Sequence, residues 1–168
     1  MRAIVAVDEN WAIGREGGML YDLPGDLRHF ARMTRGKVLV MGRGTLNSLP
    51  GGKPLKDRVN LVMSRDPGLS VPGAQVLQSM AELESAIAEY PPEDVMLMGG
   101  ETLYTQLLAH CDRAFVTRIQ ARAPGADRFF PNLDLLPAWR LVSCEPQPAE
   151  NGLRYSFCEY ENQSVRGF

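Results

Sequence analysis

Three places in this sequence combine residue types and spacings that suit chemistry. The first is Leu39-Val40-Met41-Gly42-Arg43-Gly44-Thr45, an apolar run that ends in glycine and passes straight into a guanidinium and a hydroxyl. If a strand ends at Gly42 and a short helix opens behind it, free backbone N–H groups, Thr45 and Arg43 converge on one point, which suits a phosphate. The second is Val95-Met96-Leu97-Met98-Gly99-Gly100-Glu101-Thr102. Paired glycines let a ligand approach the backbone closely, and a helix N-terminus favours negative charge. Glu101 counts against a ligand here, since its own carboxylate would answer the helix dipole. Taken singly, each junction is better read as an ordinary tight turn. Together, at the carboxyl ends of two strands, they point to a dinucleotide.

Asp26 is the third place. It falls in the first turn of an expected helix, between a glycine-bearing loop and the apolar side chains Leu27 and Phe30. Acids are favoured at helix N-termini for structural reasons alone, and position by itself favours that reading. The functional reading is a carboxylate in an apolar cleft, desolvated so that its pKa rises and it can serve proton chemistry.

The elements that must position these groups follow from pattern. Arg2 to Val7 reads as a central strand feeding a long loop, Asp8 to Asp22, with glycines at 14, 17 and 18. A loop of this length in a small domain is usually functional or disordered. Pro24 opens a helix that Gly36 ends, with Leu27, Phe30, Ala31 and Thr34 on one face and Arg28, Arg32 and Arg35 pointing away. Further strands are expected at Lys37–Met41, Arg58–Ser64, Gln75–Leu77, Asp94–Met98, Arg113–Gln120, Trp139–Glu145 and Arg154–Tyr160. Helices are expected at Arg43–Leu49, Met80–Tyr90 and Glu101–His110. The alternation predicts an α/β sheet with helices on both faces and an antiparallel C-terminal edge.

Composition bounds the rest. The 168 residues carry 18 Lys+Arg against 20 Asp+Glu, a net charge of −2, and 45% hydrophobic residues, which fits one soluble globular domain and argues against disorder. The charge is uneven. From Leu27 to Arg65, Arg28, Arg32, Arg35, Lys37, Arg43, Lys53, Lys56, Arg58 and Arg65 face a single acid, Asp57, so a local anion site is expected and not a globally basic binder. No stretch approaches the ~20 apolar residues of a membrane span, and the opening run is too short for a signal peptide, so a cytoplasmic location is expected. Cys111, Cys144 and Cys158 are odd in number and widely spaced, which predicts no disulfide and three small buried hydrophobes. His29 and His110 have no partners at ligand spacing, so no metal site is expected.

The chain lacks GxGxxG after a strand, GxxxxGK[ST] and GxSxG, which makes a standard Rossmann binder, a P-loop enzyme or an α/β-hydrolase a poor fit. It resembles instead the dihydrofolate reductase family over nearly its whole length. The residues that carry the resemblance are Ala12-Ile13-Gly14, Leu23-Pro24-Gly25-Asp26-Leu27 with Phe30, and Met41-Gly42-Arg43 with Thr45 and Ser48-Leu49. Arg58, Met98-Gly99-Gly100-Glu101 with Tyr104, Thr117 and Tyr155-Ser156-Phe157 complete it.

The resemblance implies a single-domain fold over residues 1–162, with a tail at 163–168 whose polar composition suggests fraying. It implies a mostly parallel eight-stranded sheet with an antiparallel C-terminal strand and about four helices. It also implies hydride transfer from NADPH to dihydrofolate. Asp26 would be the one carboxylate that promotes pterin protonation, with Thr117 supporting it and Tyr21 in the water network that links lid to pterin. Leu27, Phe30, Leu49 and Leu55 would wall the pterin and benzoyl groups, and Arg58 would clamp the substrate's glutamate carboxylate. Ile4 and Met98 stand where backbone carbonyls face the pterin amino group, with Val5 beside them.

For the cofactor, Ala6, Ile13 and Tyr104 would touch the nicotinamide end, and the loop around Met19 would close as a mobile lid. Arg43, Thr45, Gly99 and Gly100 would hold phosphates across a cis Gly99–Gly100 peptide. Ser64 and Arg65 would lie beside the adenosine ribose, and Gly14, Gly42, Gly44, Glu101, Thr102 and Leu103 complete the set. Two differences from the family pattern stand out. Leu20-Tyr21 replaces Pro-Trp, exchanging an indole N–H for a hydroxyl. Gly44 replaces a frequent basic residue, which leaves Arg43 and Arg65 to select NADPH over NADH.

Partners implied are dihydrofolate and antifolate inhibitors, with no nucleic acid or membrane, on a monomer. The nearest alternative is the reductase of riboflavin biosynthesis, whose ribosylamino-pyrimidine has no glutamate tail for Arg58. A nucleic-acid module is disfavoured by the lack of interleaved aromatics, and a silent folate- or NADPH-binding protein by Asp26 itself.

Overall fold

Ala3, Val5 and Val7 project to one side of the first strand and Ile4 to the other, and this alternation sorts the molecule into layers. The computed structural model describes residues 1–168. In chain order its elements are β1 (Arg2–Val7), β2 (Ala12–Gly14), α1 (Pro24–Thr34), β3 (Val38–Gly42), α2 (Arg43–Ser48), β4 (Val59–Met63) and β5 (Gln75–Leu77). They continue with α3 (Met80–Ile87), β6 (Val95–Gly99), α4 (Glu101–Leu107), β7 (Arg113–Ile119), β8 (Arg128–Phe129), β9 (Trp139–Pro146) and β10 (Tyr155–Asn162).

Eight strands form one sheet in the order β5-β4-β3-β6-β1-β7-β10-β9. All pairings from β5 across to β7 are parallel, and β10 is antiparallel to both of its neighbours. On one face Ala3, Val5, Val7, Val38, Val40 and Leu97 pack with Leu83 of α3 and Leu103 and Leu107 of α4. On the other, Ile4, Leu39, Met41, Val62 and Met96 pack with Leu46 of α2 and with Phe30 and Met33 of α1. Helices therefore cover both faces, as the sequence pattern implies. The chain moves outward from β3 to β5 and returns to insert β6 beside β1. That reversal opens a crevice at the carboxyl ends of β1, β3 and β6.

The antiparallel C-terminal edge is present as expected, with a hairpin from residue 147 to 154 that lays β10 inside β9. Several other expectations need correcting. The loop from Asp8 to Asp22 contains β2, which pairs antiparallel with β8; two- and three-residue strands are too short to show an alternation. Helix α3 stops at Ile87, ahead of the Pro91-Pro92 pair, and α4 passes at Leu108–His110 into a tighter 3-10 turn.

Two cysteines are paired. The β9–β10 register sets Cys144 directly opposite Cys158, and they are joined as a disulfide with Cα atoms 4.0 Å apart. The 14-residue separation carries no recognisable motif; only the hairpin register brings them together. Cys111 is free and buried, and burial pushes its thiol up to about 12. The tail is hydrogen-bonded through Gln163 N to Ala138 O and Arg166 N to Ala109 O, and Phe168 stacks on His110.

Candidate active site

Helix α1 starts at Pro24, whose fixed φ and missing N–H suit a first turn, and this start places Asp26 against β7. Thr117 of β7 donates its hydroxyl to Asp26 Oδ1 at 2.6 Å. Burial pushes the Asp26 carboxyl above its ordinary range. The Thr117 hydrogen bond favours the charged form and offsets this only in part. Phe157 of β10 lies opposite Thr117 in the ladder, and His29 of α1 stacks on Phe157 with ring centroids 3.8 Å apart. Burial, with Arg32 nearby, lowers the His29 pKa.

Asp26 and Thr117 line a cleft of about 710 Å³, within the size range of small-molecule sites. Ile4, Val5 and Ala6 of β1 and Met98 and Gly99 of β6 form its floor; Leu27, Phe30 and Leu49 form one wall. Leu27 is 50% exposed although apolar, because it faces the cleft and not the core. Ile13, Gly14, Met19 and Tyr21 form the opposite rim, and Gly42, Gly44, Thr45, Gly100, Glu101, Thr102, Leu103 and Tyr104 close the far end.

The far end has the features of an anion cradle. Neither α2 nor α4 has a side chain capping its N-terminus, so their first N–H groups remain available. The Gly99–Gly100 peptide is cis, and Gly99 has φ of +120°. A Cβ on Gly99 would stand 3.3 Å from Thr45 Oγ1 and 3.2 Å from the Tyr104 ring, so a side chain would fill the space where the two junctions meet. Glu101 stays in the first turn of α4 but makes no capping hydrogen bond to it. Its carboxylate turns away and accepts from Phe129 N–H of β8 at 2.6 Å. Tyr104 donates its buried hydroxyl to Ile4 O at 2.6 Å, which leaves that carbonyl one lone pair toward the cleft.

Five expected residues lie outside the cleft lining. Leu55 packs against the core cluster behind Phe30 and Leu49. The Arg58 guanidinium is spread over the end of α1, donating from Nε to Thr34 Oγ1 at 3.0 Å, from Nη2 to Ala31 O at 3.2 Å and from Nη1 to Lys56 O at 2.6 Å. Arg43 pairs with Asp66 at 3.5 Å across to the loop after β4. Ser64 Oγ accepts from Asp66 N–H, and Arg65, on the same loop, has neither a hydrogen-bonded nor an ionic partner.

Sequence reasoning missed several supports. Asp8 is 1% exposed and accepts four hydrogen bonds, from Asn10 N, Ala12 N, Ala123 N and the Tyr21 hydroxyl. Buried Asn60 bonds Leu55 through both its backbone groups and also holds Arg58 O. The loop around Met19 is a small hairpin, with Arg15 and Gly18 bridged, Glu16 N bonded to Asp127 and Arg15 bonded to Pro124 O. The Asp8 bonds to Asn10 N and Ala12 N and the Asn60 bonds are local turns. Ala123 N, Asp127 and Pro124 O are brought in from more than a hundred residues away and have no local sequence signal.

A mostly parallel sheet with two uncapped helix N-termini at its ligand edge, and one desolvated carboxylate beside an apolar wall, defines the class as a dinucleotide-dependent enzyme. The dihydrofolate reductase family model matches residues 1–162. The chain is 34% identical over 163 residues to the dihydrofolate reductase of Bacillus subtilis, covering 96% of this chain and 94% of that one. It is 37% identical over 158 residues to the type 3 dihydrofolate reductase of Salmonella typhimurium, covering 94% and 93%. The dihydrofolate reductase of Enterococcus faecalis, solved with NADP(H) and RAB-propyl, superimposes with a TM-score of 0.85 at 30% identity, over 96% of this chain and 95% of that chain. The chain belongs to the dihydrofolate reductase family.

Proposed function

We propose that this protein reduces 7,8-dihydrofolate to 5,6,7,8-tetrahydrofolate with NADPH, and that Asp26 promotes protonation of the pterin. The observation that carries the reading is the Asp26–Thr117 pair at 2.6 Å: one carboxyl, held above its ordinary pKa by burial, in an apolar cleft that continues into an anion cradle.

The residues present fit NADPH. The space beside Gly99 and Thr45 that a Cβ would fill, and the two uncapped helix ends, suit its pyrophosphate, while Arg65 is free for the 2′-phosphate. When bound, NADPH supplies the hydride, so the protein's own work is to bind, orient and manage one proton. Ala6, Ile13 and Tyr104 would hold the nicotinamide end. Ile4 O and Met98 O would orient the pterin amino group, and Leu27, Phe30 and Leu49 would exclude water from its ring. Arg58 engages three of its five donors with α1 and the loop before β4, so its fork is already oriented for a carboxylate. Tyr21 closes the rim as an aromatic wall.

Antifolate inhibitors would occupy the same pterin cleft. No helix is long and apolar enough to cross a membrane. The test is NADPH absorbance with dihydrofolate present, comparing wild type with Asp26→Asn. Oxidation by wild type and its near-loss in the variant support the reading; a wild type that leaves NADPH unoxidised overturns it.

A further inference from the structure

The first turn of α1 leaves one backbone donor that the helix cannot satisfy. Pro24 has no N–H. Asp26 N and Leu27 N both reach Leu23 O, at 3.0 Å each. Gly25 N–H is left over, and the N-cap residue, Leu23, has no polar side chain to receive it. The partner comes from 125 residues away. Glu150 Oε1 accepts from Gly25 N at 2.7 Å and, at the same oxygen, from the Tyr155 hydroxyl at 2.6 Å.

The position of Glu150 is set by a tight hairpin. Glu150 and Leu153 exchange backbone hydrogen bonds in both directions, around Asn151 and Gly152, which have φ of +51° and +74°. This is the two-residue turn that Asn-Gly favours. Asn151 adds a second link, donating from Nδ2 to Asp22 O at 2.9 Å. The approach also explains why residue 25 is glycine: a Cβ there would lie 2.2 Å from Glu150 Oε1 and 2.3 Å from the Tyr155 hydroxyl oxygen. Three independent features thus converge on one contact: the leftover donor, the rigid turn and the missing Cβ.

We propose that Glu150 is a positioning residue for the reaction, capping α1 from the β9–β10 hairpin and so fixing the residue that follows Gly25, Asp26, against Thr117. The proposal rests on Asp26 acting in the reduction described above. Glu150 itself touches neither the cleft lining nor Asp26. Its effect passes through one peptide unit, and a small rotation of the first turn would move the Asp26 carboxyl off the Thr117 hydroxyl. Positioning errors of this kind cost turnover more than affinity.

The experiment compares Glu150→Ala and Glu150→Gln by steady-state kinetics, together with amide hydrogen exchange at Gly25 in the wild-type chain. Glu150→Ala is expected to lower kcat at least fivefold with KM for NADPH unchanged within twofold. Glu150→Gln, which keeps the acceptor oxygen, is expected to recover kcat to within twofold of wild type. Gly25 N–H should exchange slowly in wild type. A Glu150→Ala enzyme with wild-type kcat overturns the proposal, as does a Gln variant no better than Ala. Free exchange at Gly25 overturns it even where the Ala variant fails to fold. The exchange measurement needs no turnover, so failure of the cap and failure of the reductase reading are told apart.

Discussion

The Tyr21 hydroxyl donates to Asp8 Oδ2 at 3.2 Å, joining the far end of the loop after β1 to the end of the central strand. The aromatic residue that replaces the family's usual tryptophan thus directs its polar atom at a buried carboxylate. Burial and the Asp8 charge push the Tyr21 phenol up to about 12, so it stays protonated through the working pH range.

Tyr21→Phe should therefore act on stability and leave the proton chemistry alone. Asp8 keeps its three backbone donors, so the loss is one hydrogen bond to a charged acceptor, about 1–2 kcal/mol by urea unfolding. The pH profile of kcat should coincide with wild type. A displaced profile would mean that the hydroxyl takes part in proton delivery.

Asp26→Asn should cost about 100-fold or more in kcat, the usual range for a positioned acid. Its effect on stability has the opposite sign. The Asp26 pKa is raised on folding, so the native state binds more protons than the unfolded state between the two values. Stability therefore falls as pH rises through the folded pKa and stays lower above it. Removing the carboxylate relieves this, and the variant should be more stable at pH 7 by about 1 kcal/mol. The gain should vanish below the ordinary aspartate pKa of about 3.9. Denaturation at the two pH values checks it; a variant less stable than wild type at neutral pH contradicts it.

Thr117→Val removes the hydrogen bond that favours ionised Asp26 and should move the apparent pKa of the kcat profile upward. Valine keeps the volume in the strand, so the fold should be retained. A profile that shifts downward or stays in place would separate Thr117 from the titration of Asp26.

Arg65→Ala should weaken NADPH about tenfold while leaving NADH nearly unchanged, as measured by fluorescence titration of each cofactor. Arg43 is already paired with Asp66, which makes Arg65 the cation without a competing partner on that loop. Equal weakening of both cofactors would remove Arg65 from the 2′-phosphate.

What the sequence made legible was what depends on local pattern. The run from Val95 to Gly99 into Glu101, and Pro24 before Asp26, carry strand, turn and helix-start signals within a few residues, and they mark the cleft. The disulfide partner of Cys144, the hydrogen-bond acceptor of Gly25 and the bond from Ala123 N to Asp8 were hidden for one physical reason. Each depends on a strand register or a hairpin that brings distant segments together. Glu101 illustrates the same limit. An acid at the first position of a helix is expected to answer the dipole, and only the ribbon of β2 and β8 offers it Phe129 N–H. Likewise, nothing local to Arg43 signals that Asp66 waits across the loop.

The place of β1 in the middle of the sheet also dictates when the cleft can exist. Arg2 and Ala3 pair with Met96 and Leu97, and Ile4 to Val7 pair with Phe115 to Arg118. β1 therefore has no sheet neighbour until β6 is present, and a chain shorter than that holds Ile4 and Ala6 with no floor to join. Such non-local pairing is slow to form. The floor of the cleft is complete only once the chain through residue 119 is available to pair.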